Sequence, residues 1–173
     1  ERVRVLTRMG EIYSEKKRFK DAAKKFKRAY ALSADPLEKG KILLQQADLY
    51  ERQKDLKTAS NLRAGAVKEF ASAPGTNYNI LAEAYKTLGN TYLSLESYVQ
   101  AADAFLKALN FSEGNRAKAN LGFLLGDAYQ KGNNIKKAKE AFEQVAGNSD
   151  SVWARLARQR LTTLELAETV RNS

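Results

Sequence analysis

The densest set of side chains with chemistry to offer is the run KKRFKDAAKKFKRA at residues 16–29. Lysine and arginine at this density can neutralise a phosphate backbone, and aromatic residues set among them, here Phe19 and Phe26, can stack on bases. The rest of the inventory is thin. The sequence has no His and no Cys, so histidine acid–base chemistry, thiolate nucleophiles, disulfides and zinc–thiolate sites are excluded within the chain. No nucleophile elbow, phosphate loop or metal-ligand spacing occurs. Asp, Glu and Lys remain as proton-transfer groups, but nothing gathers them. Catalysis is therefore not expected, nor is a cofactor or a metal.

Those side chains must be carried by something, and the composition says helix. Ala, Leu, Lys and Glu dominate, and proline occurs only twice. The 173 residues suffice for one domain or a short repeat array. The 30 Lys and Arg outnumber the 20 Asp and Glu, leaving a net charge of +10, which fits an anionic partner or simple solubility. No run of about 18 uncharged apolar residues exists, so no transmembrane helix is expected, and no signal peptide is visible. A first residue of Glu rather than Met reads as a processed or trimmed chain.

A repeat organises the helices. Gly10, Ala47, Gly89 and Gly126 start four ungapped copies of one pattern. Three residues on stands Tyr13, Tyr50, Tyr92 or Tyr129. Nine on stands Phe19, Leu56, Tyr98 or Ile135; twelve on is always alanine, Ala22, Ala59, Ala101 and Ala138. Sixteen on is Phe26, Phe105 or Phe142, with Arg63 the exception, and nineteen on is Ala29, Ala66, Ala108 or Val145. Each copy reads as two helices joined by a short turn that the residue nine on closes. Glycine inside a helix costs about 1 kcal/mol relative to alanine. The expected return is close packing, with the small residue of the first helix facing the alanine of the second, as Gly89 would face Ala101. Phe19 and Phe26 fall on this pattern, so they belong to a core, and the lysines around them to an outward face.

The pattern resembles the tetratricopeptide repeat family. Tyr85, Leu88-Gly89, Tyr92, Ala101, Phe105 and Ala108 match it best; Leu6, Met9-Gly10, Tyr13, Ala22, Phe26 and Ala29 match in the first unit. The fourth unit has Gly122 in place of the usual bulky residue, and the second diverges at Gln46-Ala47 and Arg63. The resemblance implies an all-α, right-handed α-solenoid of four helical hairpins plus a C-terminal capping helix. The expected repeats are 3–36, 40–73, 82–115 and 119–150; the capping helix is 151–169, with Asp150 or Ser151 as N-cap, and 170–173 is a frayed tail. The spacings of 37, 42 and 37 residues exceed the family's usual 34. The excess is expected after each second helix, and in the second unit at ASAPGTNYN, residues 71–79. Elongated repeats of this kind resemble those of bacterial multi-repeat proteins, in the cytoplasm or the periplasm and many of them in the cell envelope.

The resemblance also implies a function: an interaction scaffold, part of a larger protein, whose first helices line a concave groove for a partner peptide or helix. The family's groove positions map onto Arg4, Thr7, Glu11 and Ser14; Lys41, Leu44, Asp48 and Glu51; Glu83, Lys86, Asn90 and Leu93; and Asn120, Phe123, Asp127 and Gln130. Some members grip a C-terminal carboxylate with a lysine–asparagine pair, which Lys86 and Asn90 match, but Asp127 stands where a further asparagine is needed and would repel such a ligand. A second surface is expected at the N-terminal end. Val5 and Ile12 occupy the places of Ile42 and Leu49, Ala84 and Thr91, and Leu121 and Ala128, which would pack on a preceding hairpin. A missing upstream repeat in the full protein, or self-association through that end, would cover them. The other reading of function is a basic adaptor that recruits nucleic acid or anionic membrane through 16–29; a nucleic-acid partner is the less expected of the two.

Overall fold

The computed structural model describes residues 1–147 and 151–172. Among them run nine helices and no strand: α1 (Arg2–Glu15), α2 (Phe19–Leu32), α3 (Pro36–Arg52), α4 (Leu56–Ser72), α5 (Tyr78–Ser94), α6 (Tyr98–Phe111), α7 (Asn115–Lys131), α8 (Ile135–Ala146) and α9 (Val152–Asn172). α1 to α8 form four antiparallel hairpins of a right-handed solenoid, and α9 packs on the last of them. α9 extends to Asn172, through most of the expected tail; Ser173 lies outside the described residues, as does Asp150. The Ser151 hydroxyl oxygen accepts from the Ala154 N–H at 3.1 Å, which places the cap of α9 there.

The hairpin turns share one backbone device. Lys17, Lys54, Glu96 and Asn133, each seven residues after the repeat's small residue, have φ between 56° and 63°. In each turn the next N–H reaches back to the repeat tyrosine, as Arg18 N–H does to Tyr13 O and Ser97 N–H to Tyr92 O, both at 2.8 Å. The left-handed residue's own N–H bonds to the carbonyl three before it, as Glu96 does to Leu93 at 3.0 Å. These paired bonds are a Schellman motif, which ties off the last carbonyls of the first helix. Asp55 and Asn134 then cap the second helix, accepting from Thr58 N–H at 3.0 Å and Lys137 N–H at 3.2 Å. The Thr58 bonds hold the Asp55 carboxyl below its ordinary pKa. The closing residues Phe19, Leu56, Tyr98 and Ile135 are the first residues of their helices and all half-buried. Glycine suits the left-handed position best, and none of the four residues is glycine. Glu96→Gly is expected to stabilise the chain by about 0.5–1 kcal/mol, read as a higher urea midpoint at unchanged slope.

Packing within a hairpin differs from the expected glycine–alanine contact. A Cβ built on Gly89 would stand 2.6 Å from Cε1 of Phe105, and the nearest atoms around Gly10 and Gly126 are likewise those of Phe26 and Phe142. The glycine makes room for the aromatic ring sixteen residues on. In an antiparallel pair, residues at one level have position numbers of constant sum, so the alanine twelve on lies one turn nearer the hairpin turn. The second hairpin, with Ala47 and Arg63 at this level, moves the contact two turns toward its open end, where Gly40 meets Phe70.

Between hairpins, each first helix docks on the second helix before it. Ile42 and Leu49 pack with Ala22, Phe26 and Ala29 of α2, and Leu121 and Ala128 with Ala101, Phe105 and Ala108 of α6. Ala84 packs with Ala66, Val67 and Phe70 of α4, and all of these stripe residues are buried. The first helix α1 touches α3, and α7 touches the capping helix α9, whereas among the described residues no two second helices pack to that degree. The first helices are therefore the inner, concave row. The excess length over the usual repeat sits on both sides of the connections: α3, α5 and α7 have 17 residues against 14 in α1, and α4 has 17 against 14 in α2 and α6.

Candidate functional site

The residues expected to line a groove fall into three stretches of the inner row. Between α1 and α3, Glu11 accepts from Arg8 at 2.8 Å and from the Gln45 amide at 2.5 Å. Together with Ser14, Asp48 and Arg52 they line an open hollow of about 380 Å³ of mixed charge. Arg4 is exposed nearby on the same helix, and the Thr7 hydroxyl is taken up by the Val3 carbonyl at 3.0 Å.

Between α3 and α5 the chemistry changes. Lys41, Leu44, Phe70, Ile80, Ala84 and Thr87 line a hollow of about 340 Å³ whose exposed lining is almost all carbon, with Glu83 at its edge. This hollow joins Lys41, Leu44 and Glu83 of the expected set to residues that the repeat register did not single out, Ile80 and Thr87. Lys86 is tied to Glu83 at 2.6 Å, Asn90 is exposed, and Leu93 is half-buried against the core of the third and fourth hairpins.

The third stretch is narrowed by α9, and its residues are half-buried. Phe123 lies between Phe142 and Trp153, both ring centroids 5.5 Å away, so the indole of α9 covers it. Asp127 pairs with Lys131 at 2.9 Å and with Arg160 of α9 at 3.8 Å. Gln130 is half-buried, its side-chain carbonyl oxygen shielded and without a hydrogen-bond partner, and Asn120 lies beside Trp153. Along α7 the positions that the register assigns to a groove are shared with α9. Trp153 carries the signal for this sharing, as a large aromatic placed just after the last repeat.

Arg63 links the first two stretches. It is 6% exposed, although it stands where the other hairpins have phenylalanine. Its guanidinium donates to Asp48 at 2.8 Å, to Glu51 at 2.6 Å and to the Thr91 hydroxyl of α5. Burial pulls its pKa down, and the bonds and charges of Glu51 and Asp48 push it up by more, so the group stays cationic. The two acidic groove residues of α3 are thereby committed to a cation of their own chain.

The basic run lies on the outer row. Lys20, Lys24, Lys27 and Arg28 are exposed on α2, while Phe26 is buried and Phe19 half-buried, so neither ring is a stacking platform. Tyr78, the first residue of α5 rather than part of the connection before it, is exposed yet rests on Phe111 with ring centroids 5.7 Å apart. Among the described residues no three Asp or Glu side chains converge to hold a metal, and no helix is long and apolar enough to cross a membrane.

Sequence profiles of the tetratricopeptide repeat match residues 5–40, 38–114 and 121–150, which is most of the chain. The chain belongs to the tetratricopeptide repeat family. Its TPR hairpins align with those of several solved structures. BtubC (BKLC) from P. vanneervenii aligns over 92% of this chain with TM-score 0.67 at 16% identity. A Podosopora anserina protein of nearly identical TPR-like repeats aligns over 99% of this chain and 89% of its own, with TM-score 0.72 at 15% identity. MamA aligns over 94% of this chain and 86% of its own, with TM-score 0.64 at 23% identity. At these identities the likeness is one of fold, and the chain spans 64% of the length of BtubC. No curated protein matches the chain. TPR arrays are protein-interaction scaffolds, and the repeats and the solved neighbours support that general role for this array.

Proposed function

We propose that the TPR array binds a segment of a partner protein along α1, α3 and α5, with one apolar side chain of that segment seated between α3 and α5. The observation that carries this reading is the change of lining along the inner row. An almost wholly apolar hollow at Leu44, Ile80 and Ala84 lies next to a charged one at Arg8, Glu11 and Arg52. An apolar hollow on a scaffold face orients a ligand when polar groups flank it, because burial supplies affinity and the flanking groups supply register. Asp48 and Glu51 contribute less than their number implies, since Arg63 offsets one of their two negative charges.

Selection of peptides from a random library on the immobilised chain tests this. Binders with an apolar anchor are expected, and Leu44→Lys is expected to weaken them by about tenfold or more, the scale of one large side chain displaced from an apolar site. A urea curve for the same variant checks that the array still folds. Binders that ignore Leu44→Lys but are lost on reversing charges along α2 would instead place recognition on the convex basic face.

A further inference from the structure

The outer row carries its charge unevenly. Four repeat positions lie at the turn and on the outward side of the second helix, seven, ten, fourteen and seventeen residues after the small residue. The first hairpin fills all four with lysine, Lys17, Lys20, Lys24 and Lys27, and the second fills the first two with Lys54 and Lys57. The third hairpin has Glu96, Val99, Asp103 and Leu106 there, and the fourth has a single lysine, Lys136. The lysines of the first two hairpins are all exposed at these positions, and none of them makes an ion pair. Of the carboxylates nearby, Asp21 is taken by Arg18 at 2.8 Å and Asp55 by the Thr58 N–H. Lys25 and Arg28 belong to another face, an open hollow with Val5, Leu6 and Leu32 on the flank of α1. Lys20, Lys24 and Lys27 lie farther round α2, outward and toward Tyr30, whose hydroxyl donates to Glu69 of α4 at 2.6 Å. The patch therefore does not depend on what packs ahead of α1.

These lysines are held against local preference. Lys17 and Lys54 occupy left-handed turns that suit glycine or asparagine, and Asn133 stands there in the fourth hairpin. Lys20 and Lys57 are the second residues of α2 and α4, where the helix macrodipole disfavours a cation. Lys20, Lys24 and Lys27 follow one another at spacings that set like charges side by side on a helix. Anions supplied from outside relieve the last two costs together. We propose that this patch docks the array on an anionic lipid surface. No ring among the lysines is free to stack on bases, since Phe26 is buried and Phe19 packs against the same core. The lysines spread over two adjacent turns as well as along α2, and they line none of the hollows described above. They form a surface, not a track for a single strand. Lysine attracts phosphate as a point charge, without the fixed fork of arginine, which suits a layer of mobile head groups. A cluster of about four to eight cations is the scale at which an anionic leaflet attracts a protein by charge. The apolar face of α2 is buried in the core, so the contact is electrostatic and the helix does not insert. The patch is on the outer row and the α3–α5 hollow on the inner one, so the two readings stand or fall independently.

The test is co-sedimentation of the full chain with vesicles of phosphatidylcholine, alone or mixed in equal parts with phosphatidylserine. Binding is expected only to the mixed vesicles. Raising the salt from about 0.1 M to about 1 M, which shortens the screening length from about 10 Å to about 3 Å, is expected to release the chain. Replacing Lys20, Lys24 and Lys27 together with glutamine is expected to weaken binding by about a hundredfold, roughly fivefold for each lysine. The urea midpoint of that variant is expected to be unchanged or higher, since a self-repelling cluster has been removed. Glutamine at Lys68, Lys118 and Lys136, three exposed lysines outside the patch, lowers the net charge equally and is expected to leave binding nearly unchanged. Leu44→Lys is expected to bind vesicles as the native chain does. Equal binding to vesicles without phosphatidylserine, or an equal loss from the two sets of glutamine substitutions, would overturn the proposal. Tighter binding to a mixed-sequence DNA duplex or to polyglutamate than to the mixed vesicles, at equal anion concentration, would overturn it in favour of that ligand.

Discussion

Gly89→Leu is expected to destabilise the array by about 1–3 kcal/mol, and Gly89→Ala to destabilise it by less, although alanine is the better helix former by about 1 kcal/mol. The reason is the position of Phe105. A Cβ on Gly89 would stand 2.6 Å from Cε1 and 2.8 Å from Cδ1 of that ring, and the ring is fully buried, so it has no solvent-facing rotamer to retreat into. The same residue holds together Ala101, Ala108, Leu121 and Leu125, so a displaced ring is felt at the junction with the fourth hairpin as well as within the third. Gly65 is the control. It is also a helix glycine, but its Cβ would meet only Leu43 Cδ1, at 3.3 Å, the end of a half-buried and flexible side chain. Alanine there is expected to be neutral or to stabilise by up to about 1 kcal/mol. Urea unfolding of the three variants checks the set. A gain in stability for Gly89→Ala equal to that for Gly65→Ala would show that the ring is not held where the structure puts it.

The helices and their pairing are legible in the sequence because each repeat position answers to a contact inside its own hairpin. Tyr92 ends a helix through its carbonyl, Phe105 fills the space above Gly89, and Ala101 lets the second helix approach. Spacing along one strand of text fixes how such residues are arranged around a helix axis. It does not fix at which level two antiparallel helices meet, which depends on the turn between them. That is why Gly89 reads as the partner of Ala101 and proves to be the partner of Phe105. The left-handed residues Lys17, Lys54 and Glu96 leave no compositional mark, since none is glycine or asparagine, and only the geometry of the turn shows them. The groove is legible as far as the register holds. Phe123 and Asp127 have the right register but pack on Trp153 and pair with Arg160, because α9 lies outside the repeat and follows no spacing rule. The open stripe at Val5 and Ile12 is legible in full, since its later equivalents are apolar or small in every copy.

Replacing Arg63 with alanine is expected to cost about 2–3 kcal/mol, the scale of lost charge-assisted hydrogen bonds together with the packing of a long buried stem. The loss is limited because Asp48 and Glu51 keep 61% and 43% of their side-chain surface in solvent, so they rehydrate once the guanidinium is gone. Thr91 keeps its bond to the Thr87 carbonyl at 2.9 Å. The more telling variant is Arg63→Phe, which restores the residue found at this level in the other hairpins. It is expected to be destabilising as well, because the methyl of Ala47 occupies the space that Gly10, Gly89 and Gly126 leave for their rings. Ala47→Gly should then change sign with its background. Beside the native Arg63 it lowers stability by about 1 kcal/mol, the propensity difference; in the Arg63→Phe background it raises stability by a similar amount, since the ring gains its seat. A double-mutant cycle in urea measures this coupling directly. An equal loss from Ala47→Gly in both backgrounds would show that Ala47 and Arg63 are not a matched replacement for the glycine–phenylalanine pair. If the coupling has the expected sign, the second hairpin has exchanged a ring for a cation at this level. Arg63 then ties Asp48 and Glu51 of α3 to Thr91 of α5, and the surface around the two carboxylates is set by that bridge.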